Sequence, residues 1–557
     1  MLICTAMTVH LTPTRGMTET RKNLLFLLAC STGLFIVSLL TRSLIPVDET
    51  RYTSVAWEMW LRGDYLVPYL NGATYSHKPP LLFWLFLLGW KLFGVNEWWP
   101  RLIPLLFSLG SLYLVHLLAR LVWPQRDVHL YAPVILLGFT AWSFFSTAVM
   151  FDMMLAFFVL LAVVAMYRAL SGDGYQWWLL TGVAWGLGML GKGPVIFVHT
   201  LPLLLLAGWW LPGECRPSMN HGVKGFLSAF AIAAVIIFSW VVPAVLSGGE
   251  EYGRSLLLGQ NIQRAVKAPN DALAWWFYLP VLPFLLFPWL YWGSLWRALA
   301  GAGGRAWLAD HGIRFCLAWA ISVFILFSLI SGKKVHYLLP VLPALAMLFG
   351  ALLVRGRPEA GRPGLVLINL VYLLIAAGIG YVALLYPTQR GSYWLAGLDD
   401  WSWLPFVLLA LGGMLVMRTH PLAQARLLTL QSMLLLVLLH ATVIIPAMRG
   451  FDLNDIARQV KRLQEQGITV AHLGKYQDEY HFLGRLRQPL VLLTEQALPA
   501  WLNEHPDAYV ISYRHIQCGP AVEPADYMRL FRNGQCMTLR SAPQQQEYLR
   551  RQADNPS

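Results

Sequence analysis

Apolar runs of about twenty residues recur along the whole chain, and they limit its fold more than any other feature. The clearest runs are residues 23–41, 100–123, 129–149, 153–170, 194–211, 225–247, 313–330, 337–354, 363–386 and 427–448. A helix needs about 20 mostly apolar residues to cross a bilayer, and it satisfies its own backbone hydrogen bonds inside lipid. Because 57% of the 557 residues are hydrophobic and only 13% are charged, the sequence predicts a polytopic α-helical membrane protein.

The net charge of +13 is explained by loops rather than by a nucleic-acid partner. Most basic residues lie in short loops, where the positive-inside rule places them on the cytoplasmic face. These loops carry Arg120/Arg126, Arg168, Arg216/Lys224, Arg297/Arg305/Arg314, Arg355/Arg357/Arg362 and Arg418/Arg426. The first apolar run is longer than the about 7–15 residues of a signal peptide and lacks a small-residue cleavage site. We therefore expect a cytoplasmic N-terminus over residues 1–22, an uncleaved first span and no nucleic-acid binding.

Whether residues 81–93 cross the membrane determines which of the later loops face outward. This run is short for a crossing, and Lys91 interrupts it. If it is a juxtamembrane or re-entrant helix, the basic loops all fall on the N-terminal side and about 13 crossings remain. The sequence then predicts a transmembrane domain over residues 23–450, with an outer loop at 42–99. The loops that contain Asp48, Asp152, Lys192, Arg264 and Lys333/Lys334 face outward with it, as does the segment 451–557.

The C-terminal segment differs in composition from the rest of the chain. Strand-like runs (ITVAHLG, PLVLLT and AYVISYR) alternate with helical stretches at 477–486 and 495–505. This alternation predicts a small soluble α/β domain with a largely parallel sheet and a flexible tail. It has no phosphate-binding glycine loop, which favours a structural or acceptor-guiding role. Cys518 and Cys536 both lie in it and are able to pair in an oxidising compartment, but the sequence gives no distance between them.

The first long polar stretch, residues 48–80, begins with an acidic pair. Asp48 and Glu49 either start a helix, where acidic residues are favoured, or supply a general base at the membrane boundary; the two roles are compatible. Residues 50–62 have apolar side chains at helical spacing and end before Gly63. This pattern predicts an amphipathic helix in the plane of the membrane interface.

Isolated ionisable residues at the ends of spans are the other candidates for function. Asp152 is a lone carboxylate at a span boundary, where a helix cap and a functional group are both plausible. Lysines on the outer face run against the positive-inside bias, and a single one often only anchors a helix at the interface. Several together indicate an anionic ligand such as a phosphate. The basic set is Arg51, Lys78, Lys192, Arg264, Lys333 and Lys334.

Cations and carboxylates at the outer leaflet fit group transfer from a polyprenyl-phosphate donor. The cations would stabilise the leaving phosphate, and a carboxylate would activate the acceptor.

Six motifs in order resemble the bacterial lipid-linked-sugar glycosyltransferases of the GT-C fold. They are DETRY at 48–52, GDYLVP at 63–68, YSHKPP at 75–80, FD at 151–152, GKGP at 191–194 and KKVHYLLPVLP at 333–343. The chain is similar to the protein mannosyltransferase-like group that includes the 4-amino-4-deoxy-L-arabinose lipid A transferases. The resemblance implies about 13 spans and a periplasmic C-terminal domain.

The same resemblance implies roles for individual residues. Asp48 would be the main catalytic carboxylate and Asp152 the second acidic residue, with Glu49 a further catalytic candidate beside Asp48. The implied ligands of the undecaprenyl phosphate donor are Arg51, Tyr52, Tyr75, Lys78, Arg264 and Tyr337, with Lys192 and Lys333 completing the basic lining.

Three departures from the family pattern affect the substrate and metal expectations. His77 stands where relatives have Glu, Gln260–Asn261 stand where the lipid A enzymes have Glu-His, and a histidine expected before Trp275 is missing. These positions are candidates for sugar or acceptor recognition or for a structural metal, for which His77 is the named ligand. The sequence identifies no certain cofactor, and whether the protein binds a divalent metal stays open.

The sequence thus predicts a multi-pass inner-membrane enzyme with its active site facing the periplasm. It would move a sugar from undecaprenyl phosphate-sugar to lipid A or another part of lipopolysaccharide, or to a protein or other envelope glycan. The alternative class is a transporter or flippase for a lipid-linked sugar. That class predicts charges at mid-membrane and repeated halves, whereas the charges here lie at span ends and no internal repeat is found.

Overall fold

A computed structural model describes residues 13–213, 218–259, 273–302, 304–356, 364–385, 398–415, 420–448, 450–514, 518 and 525–554. A helical domain is followed by a C-terminal α/β domain that packs against its first long loop. The helices of the first domain are α1 Pro13–Thr41, α2 Asp48–Arg62, α3 Leu81–Phe93, α4 Trp98–Val122, α5 Val128–Gly138, α6 Thr140–Phe145, α7 Asp152–Leu170, α8 Gln176–Lys192, α9 Val195–Leu205, α10 Ala207–Trp210, α11 Met219–Arg254, α12 Tyr278–Leu285, α13 Gly293–Gly301, α14 His311–Leu329, α15 Leu342–Gly356, α16 Val366–Leu385, α17 Leu404–Leu415, α18 Pro421–Leu439 and α19 Ile445–Met448. Short 3₁₀ or π segments cover Ser255–Gly259, Trp289–Tyr291, Gly304–Ala309, Val335–Val341 and His440–Ile444.

Eight helical segments in the described part of the chain are long and apolar enough to cross a membrane. They are Thr18–Thr41, Trp98–Val122, Asp152–Leu170, Asn220–Leu257, His311–Leu329, Val335–Gly356, Val366–Leu384 and Pro421–Met448. Four shorter apolar helices are Leu81–Phe93, Val128–Gly138, Val195–Leu205 and Leu404–Leu415. The predicted class of polytopic helical membrane protein is confirmed, and the number of about 13 crossings stays a prediction.

Two runs predicted as continuous spans are broken. The run 129–149 forms α5 and α6 with an extended residue, Phe139, between them. The amide of Thr140 donates to the Phe287 carbonyl at 3.1 Å, so a distant segment satisfies the backbone at the break, as buried irregular backbone requires. The run 194–211 is likewise divided into α9 and α10 at Leu206. Composition alone does not reveal such partners.

Helix α3 is short, as expected if residues 81–93 do not cross the membrane. Its 13 residues give a length of about 20 Å, less than the about 30 Å of the hydrocarbon core. One face, with Phe83, Phe86 and Trp90, is buried. These features agree with the juxtamembrane or re-entrant helix predicted for residues 81–93.

Helix α2 forms as predicted and ends at Gly63, whose φ of 67° is typical of a helix C-terminal cap. Most of the helix is buried inside the protein, and its expected position in the plane of the membrane interface stays a prediction. Ser54 Oγ donates to the Asp478 carbonyl at 2.7 Å, and Trp57 Nε1 donates to the Leu486 carbonyl at 2.7 Å. The C-terminal domain therefore covers the helix, and the amphipathic pattern reflects protein packing rather than lipid contact.

The C-terminal domain is built on a five-stranded mixed sheet. Its helices are α20 Asn454–Glu465, α21 His481–Gly484, α22 Leu498–Glu504 and α23 Ala542–Asp554; its strands are β3 Val470–Leu473, β4 Val491–Leu493, β5 Tyr509–Arg514, β6 Tyr527–Phe531 and β7 Gln535–Ser541, with a 3₁₀ turn at Arg532–Gly534. The strand order is β4-β3-β5-β7-β6. Strand β3 pairs in parallel with β4 and β5, whereas β7 pairs antiparallel with β5 and β6. The expectation of a largely parallel sheet thus holds for only half of it.

The described end of the domain is helical, and the flexible tail stays a prediction. Helix α23 continues through Asp554, and its Tyr548 and Ala542 are buried. A disulfide joins Cys518 to Cys536, which resolves the pairing that the sequence left open and fastens the segment before β6 to strand β7.

A small hairpin in the outer loop forms a second contact with the C-terminal domain. Strands β1 Tyr69–Leu70 and β2 Ala73–Thr74 pair antiparallel. At the turn, Asn71 Nδ2 donates to the Leu490 carbonyl at 2.9 Å, and the Leu490 amide donates to Asn71 Oδ1 at 2.8 Å. This two-way bond fixes the register between the loop and the domain.

A buried ion pair fixes the start of α2. Both guanidinium Nη atoms of Arg42 donate to the Glu49 carboxylate, which also accepts the Ile45 amide at 2.8 Å and the Val149 amide at 2.7 Å. Burial by itself would raise the pKa of Glu49, but Arg42 and the two backbone amides hold it below its usual range. The pair joins the end of α1, the start of α2 and the segment before α7.

We predict that Glu49→Gln destabilises the protein, because it leaves the Arg42 guanidinium buried without a counter-charge. Removing one partner of a buried pair costs about 3–5 kcal/mol. The thermal midpoint of the purified protein in detergent should fall by several degrees. The matched control is Glu495→Gln, since Glu495 forms an exposed pair with Arg514 at 3.4 Å, which contributes about 0–1 kcal/mol. Equal midpoints for the two variants would contradict a structural role for Glu49.

Candidate functional site

Asp152 lies at the first residue of α7, where three chain segments meet. It is buried, and its Oδ1 is 2.5 Å from Nζ of Lys192 at the end of α8. Nε2 of His336, in the 3₁₀ turn Val335–Val341, is 3.9 Å from the same oxygen. An unpaired carboxylate would be costly to bury, so the lysine accounts for its stability there. The ends of α7 and α8 and the turn before α15 thus place two charges and an imidazole together.

Asp48 forms the more open part of the site. It is the first residue of α2, behind Val47 at the cap position, and its side chain is 48% exposed. Its Oδ1 accepts hydrogen bonds from the Arg51 guanidinium and, at 3.2 Å, from the Tyr52 hydroxyl. Burial, together with the nearby Asp48 charge, raises the pKa of Tyr52 well above its usual value, so this phenol stays protonated and donates. In the described part of the chain, no hydrogen bond reaches Asp48 Oδ2.

An aromatic wall connects these two carboxylates. The ring of Phe151, the residue before Asp152, packs edge-on against Tyr52 with centroids 4.9 Å apart. Lys78 Nζ lies over the same ring, 5.6 Å from its centroid. Lys192 Nζ is 5.1 Å from the centroid of Tyr337. Both lysines therefore lie against aromatic rings, which help to position their ammonium groups.

His336 links the two halves of the site electrostatically. Its imidazole lies within range of the charges of Asp152, Lys192, Asp48 and Lys78. His336 was not among the site residues expected from the sequence, although it lies beside Tyr337 in the motif KKVHYLLP. Its position next to a selected tyrosine was the available signal.

The remaining candidates are placed differently. Tyr75 is buried and its ring stacks on His77 at 5.1 Å. Lys333 is also buried, and its Nζ donates to the Leu273 carbonyl at 2.8 Å, so it holds a backbone segment. The Glu49 carboxylate points away, toward Arg42. Arg264 lies outside the described residues.

The C-terminal domain reaches the site through a residue that the sequence analysis missed. Gln477, in the loop after β3, accepts a hydrogen bond from the Arg51 guanidinium through its Oε1. Arg51 is thereby held between Asp48 and Gln477, two residues more than 400 positions apart in the chain. Nothing in the local pattern around Gln477 distinguishes it.

The candidate metal ligands do not include His77, whose side chain is exposed. Among the described residues, the group of His, Cys, Asp and Glu side chains close enough to share an ion is Glu58, Asp478 and His481. These lie where α2 meets the C-terminal domain.

Comparison with known proteins gives the family. Residues 77–242 match the family model described as dolichyl-phosphate-mannose-protein mannosyltransferase. The chain is 32% identical over 377 residues to undecaprenyl phosphate-alpha-4-amino-4-deoxy-L-arabinose arabinosyl transferase 1 of Pseudomonas fluorescens (strain ATCC BAA-477), covering 66% of each chain. It is 30% identical over 403 residues to the corresponding transferase of Pseudomonas paraeruginosa, covering 68% of this chain and 71% of that one. The alignments thus span about two thirds of these relatives.

Solved structures share the fold over nearly the full length. The apo crystal structure of ArnT from Cupriavidus metallidurans superposes with a TM-score of 0.73 at 20% identity, covering 95% of this chain and 99% of that one. The structure of the same protein bound to undecaprenyl phosphate gives a TM-score of 0.70 and covers 92% and 97%. The chain therefore belongs to the family of undecaprenyl phosphate-4-amino-4-deoxy-L-arabinose arabinosyl transferases, and it is a polytopic membrane glycosyltransferase with the GT-C fold.

Proposed function

We propose that this protein transfers 4-amino-4-deoxy-L-arabinose from an undecaprenyl phosphate donor to lipid A or another part of lipopolysaccharide. The observation that carries the proposal is the grouping of Asp48 and Arg51 on α2 with Asp152 at the start of α7, Lys192 at the end of α8 and Lys78 in the loop before α3. The curated relatives are named for this donor sugar, and the ArnT structure was determined with undecaprenyl phosphate bound. The site faces the periplasm of the bacterial inner membrane, in agreement with the basic loops on the opposite side.

The cations are assigned to the donor phosphate. Arg51 offers a bidentate guanidinium, and Lys78 and Lys192 add point charges. Tyr75 and Tyr337 supply aromatic and hydroxyl contacts beside them, and Arg264 is assigned to the same group on the basis of the motif alone. The polyprenyl tail remains among the apolar helix faces, since its hydrocarbon gains nothing from leaving the lipid.

The transfer breaks one bond and forms one. An acceptor oxygen attacks the anomeric carbon of the sugar, and the bond from that carbon to the phosphate oxygen breaks. The electron pair leaves with undecaprenyl phosphate, whose added charge Arg51, Lys78 and Lys192 stabilise. When the acceptor is a hydroxyl, its proton passes to Asp48 Oδ2; when it is a phosphate oxygen, Asp48 only orients the acceptor. Asp152 acts as a positioning residue that holds Lys192.

The first test compares wild type with Asp48→Asn in a defined bacterial host at matched membrane levels. Mass spectrometry of lipid A and of periplasmic glycans should detect an added aminoarabinose in the wild type. Loss of the carboxylate should reduce transfer by about 10²–10⁴-fold, the range for general acid–base catalysis. The matched control, Asp399→Asn, removes an exposed loop carboxylate and should transfer as the wild type does.

Three outcomes would contradict parts of this proposal. Equal product from wild type and Asp48→Asn would limit Asp48 to a helix-starting role. Accumulation of lipid-linked sugar on one leaflet, with no modified acceptor, would favour a transporter or flippase. A new sugar mass on a protein or another glycan would replace lipid A as the acceptor.

Gln477 is proposed as a positioning residue for Arg51. We expect Gln477→Ala to lower kcat/KM for a purified undecaprenyl phosphate-sugar donor by about 10-fold, because a hydrogen bond to a charged group contributes about 1.5–3 kcal/mol and is partly replaced by water here. Gln477→Glu should chiefly raise the donor KM, because its carboxylate competes with the phosphate for Arg51.

The control for this test is Gln488→Ala. Gln488 is an exposed residue that, like Gln477, lies between β3 and β4. This substitution should leave both kinetic constants unchanged. If Gln477→Ala and Gln477→Glu behave alike and only reduce the amount of folded protein, Gln477 is a docking contact and does not position Arg51.

A further inference from the structure

Three metal-ligating side chains meet where α2 contacts the C-terminal domain. Glu58 lies near the end of α2, and Asp478 and His481 lie between β3 and β4, about 420 residues later in the chain. All three are buried, and one ligand atom from each lies within 4.8 Å of the other two. We propose that Glu58, Asp478 and His481 bind a divalent transition-metal ion such as Zn²⁺, which fastens the C-terminal domain to the helix that carries Asp48 and Arg51.

The donor set suits such an ion. Zn²⁺ accepts imidazole nitrogen and carboxylate oxygen at about 2.0–2.2 Å, so neighbouring ligands around a tetrahedral ion lie about 3.4 Å apart. His481 Nδ1 is 3.6 Å from Asp478 Oδ1. The imidazole favours zinc-like ions over Mg²⁺ or Ca²⁺, which prefer all-oxygen sites.

An orphaned oxygen points to a missing ligand. Asp478 Oδ1 is fully buried and accepts no hydrogen bond within the described part of the chain. Such an oxygen normally has a donor or a cation next to it. The other carboxylate oxygen, Oδ2, accepts the Asn71 amide at 2.6 Å, which orients the side chain and leaves Oδ1 for the ion.

The surrounding contacts hold the other two ligands. Both Glu58 oxygens accept the Gly72 amide, at 3.3 and 3.1 Å, and Arg62 Nη2 lies 3.6 Å from Glu58 Oε2. The Tyr476 hydroxyl lies 2.9 Å from His481 Nδ1; it would turn its proton away when that nitrogen binds an ion. Such outer contacts typically orient metal ligands.

The charge balance also calls for a cation. Two carboxylates and a neutral imidazole carry two negative charges in a buried place, and half-exposed Arg62 is the cation paired with Glu58. Glu58 and Asp478 are both buried, and two like charges that close together are costly without a cation between them. A divalent ion neutralises both carboxylates.

The backbone conformation of Asp478 agrees with a residue that binds a ligand and joins the C-terminal domain to α2. Its φ is 58°, in the left-handed region that few residues other than glycine adopt. Such conformations are strained, and they cluster at ligand sites. The Asp478 carbonyl accepts the Ser54 hydroxyl at 2.7 Å, so the strained residue is tied to α2 through its backbone as well as its side chain.

The test measures bound metal in the full-length protein, independently of transfer activity. Protein purified in detergent is stripped with a chelator, incubated with Zn²⁺ and desalted, and its zinc content is determined by mass spectrometry. Glu58→Gln and His481→Gln should each bind one equivalent less than the wild type. Zn²⁺ should raise the thermal midpoint of the wild type by several degrees and leave both variants unchanged.

Two controls separate this site from others. His77→Gln tests the exposed histidine that the sequence suggested, and Glu479→Gln removes a buried carboxyl adjacent to Asp478 that is not in the group. Both should bind as much zinc at this site as the wild type.

A measurement on the wild type alone guards against misfolded variants. Co²⁺ bound by these three side chains should give visible d–d absorption that Zn²⁺ abolishes. No such absorption, no zinc above background in the wild type, or unchanged zinc content in Glu58→Gln and His481→Gln would each overturn the proposal. In that event the cluster is a carboxyl pair that shares a proton.

Discussion

Helix α2 is held at both ends by buried polar contacts, and the arrangement of the candidate site depends on that constraint. Near its start, the Glu49 carboxylate accepts hydrogen bonds from Arg42 and two backbone amides; near its end, the buried Glu58 carboxylate accepts the Gly72 amide. A buried charge without a partner costs several kcal/mol, so each contact fixes the rotation of the helix. With Glu49 turned inward, the preceding residue, Asp48, is turned toward the open side.

The charges of the site suit a phosphodiester. Arg51, Lys78 and Lys192 carry three positive charges, and Asp48 and Asp152 carry two negative ones, so these groups have a net charge of about +1. A lipid-linked sugar phosphate carries about one negative charge, and the leaving phosphate monoester carries about 1.5–2 at neutral pH. Under the proposed function, a site with this balance would attract the donor and would stabilise the additional charge of the leaving group more strongly, which is the differential binding that catalysis requires.

The sequence indicated the membrane class and several residues that the structure brings together in the candidate site, because the relevant signals are local. Long apolar runs indicate membrane helices without reference to the rest of the chain, and Asp152 and Lys192 stood out because isolated charges at the ends of such runs need a reason to be there. The break at Phe139 was not predictable, because its backbone partner is the Phe287 carbonyl. The covering of α2 by the C-terminal domain was not predictable for the same reason, because an apolar helix face has the same pattern whether lipid or another domain covers it.

Long-range contacts also explain why the C-terminal domain was assigned too small a part. The match to the family model covers residues 77–242, whereas Asp48 and Arg51 precede it and Gln477 follows it by more than 200 residues. Arg51 forms its bonds to Asp48 and Gln477 with the same guanidinium. Because a planar guanidinium binds in a fixed geometry, a shift of the domain by about 1 Å would move the group assigned to the donor phosphate. The C-terminal domain is therefore better understood as one wall of the site than as an appendage to the membrane part.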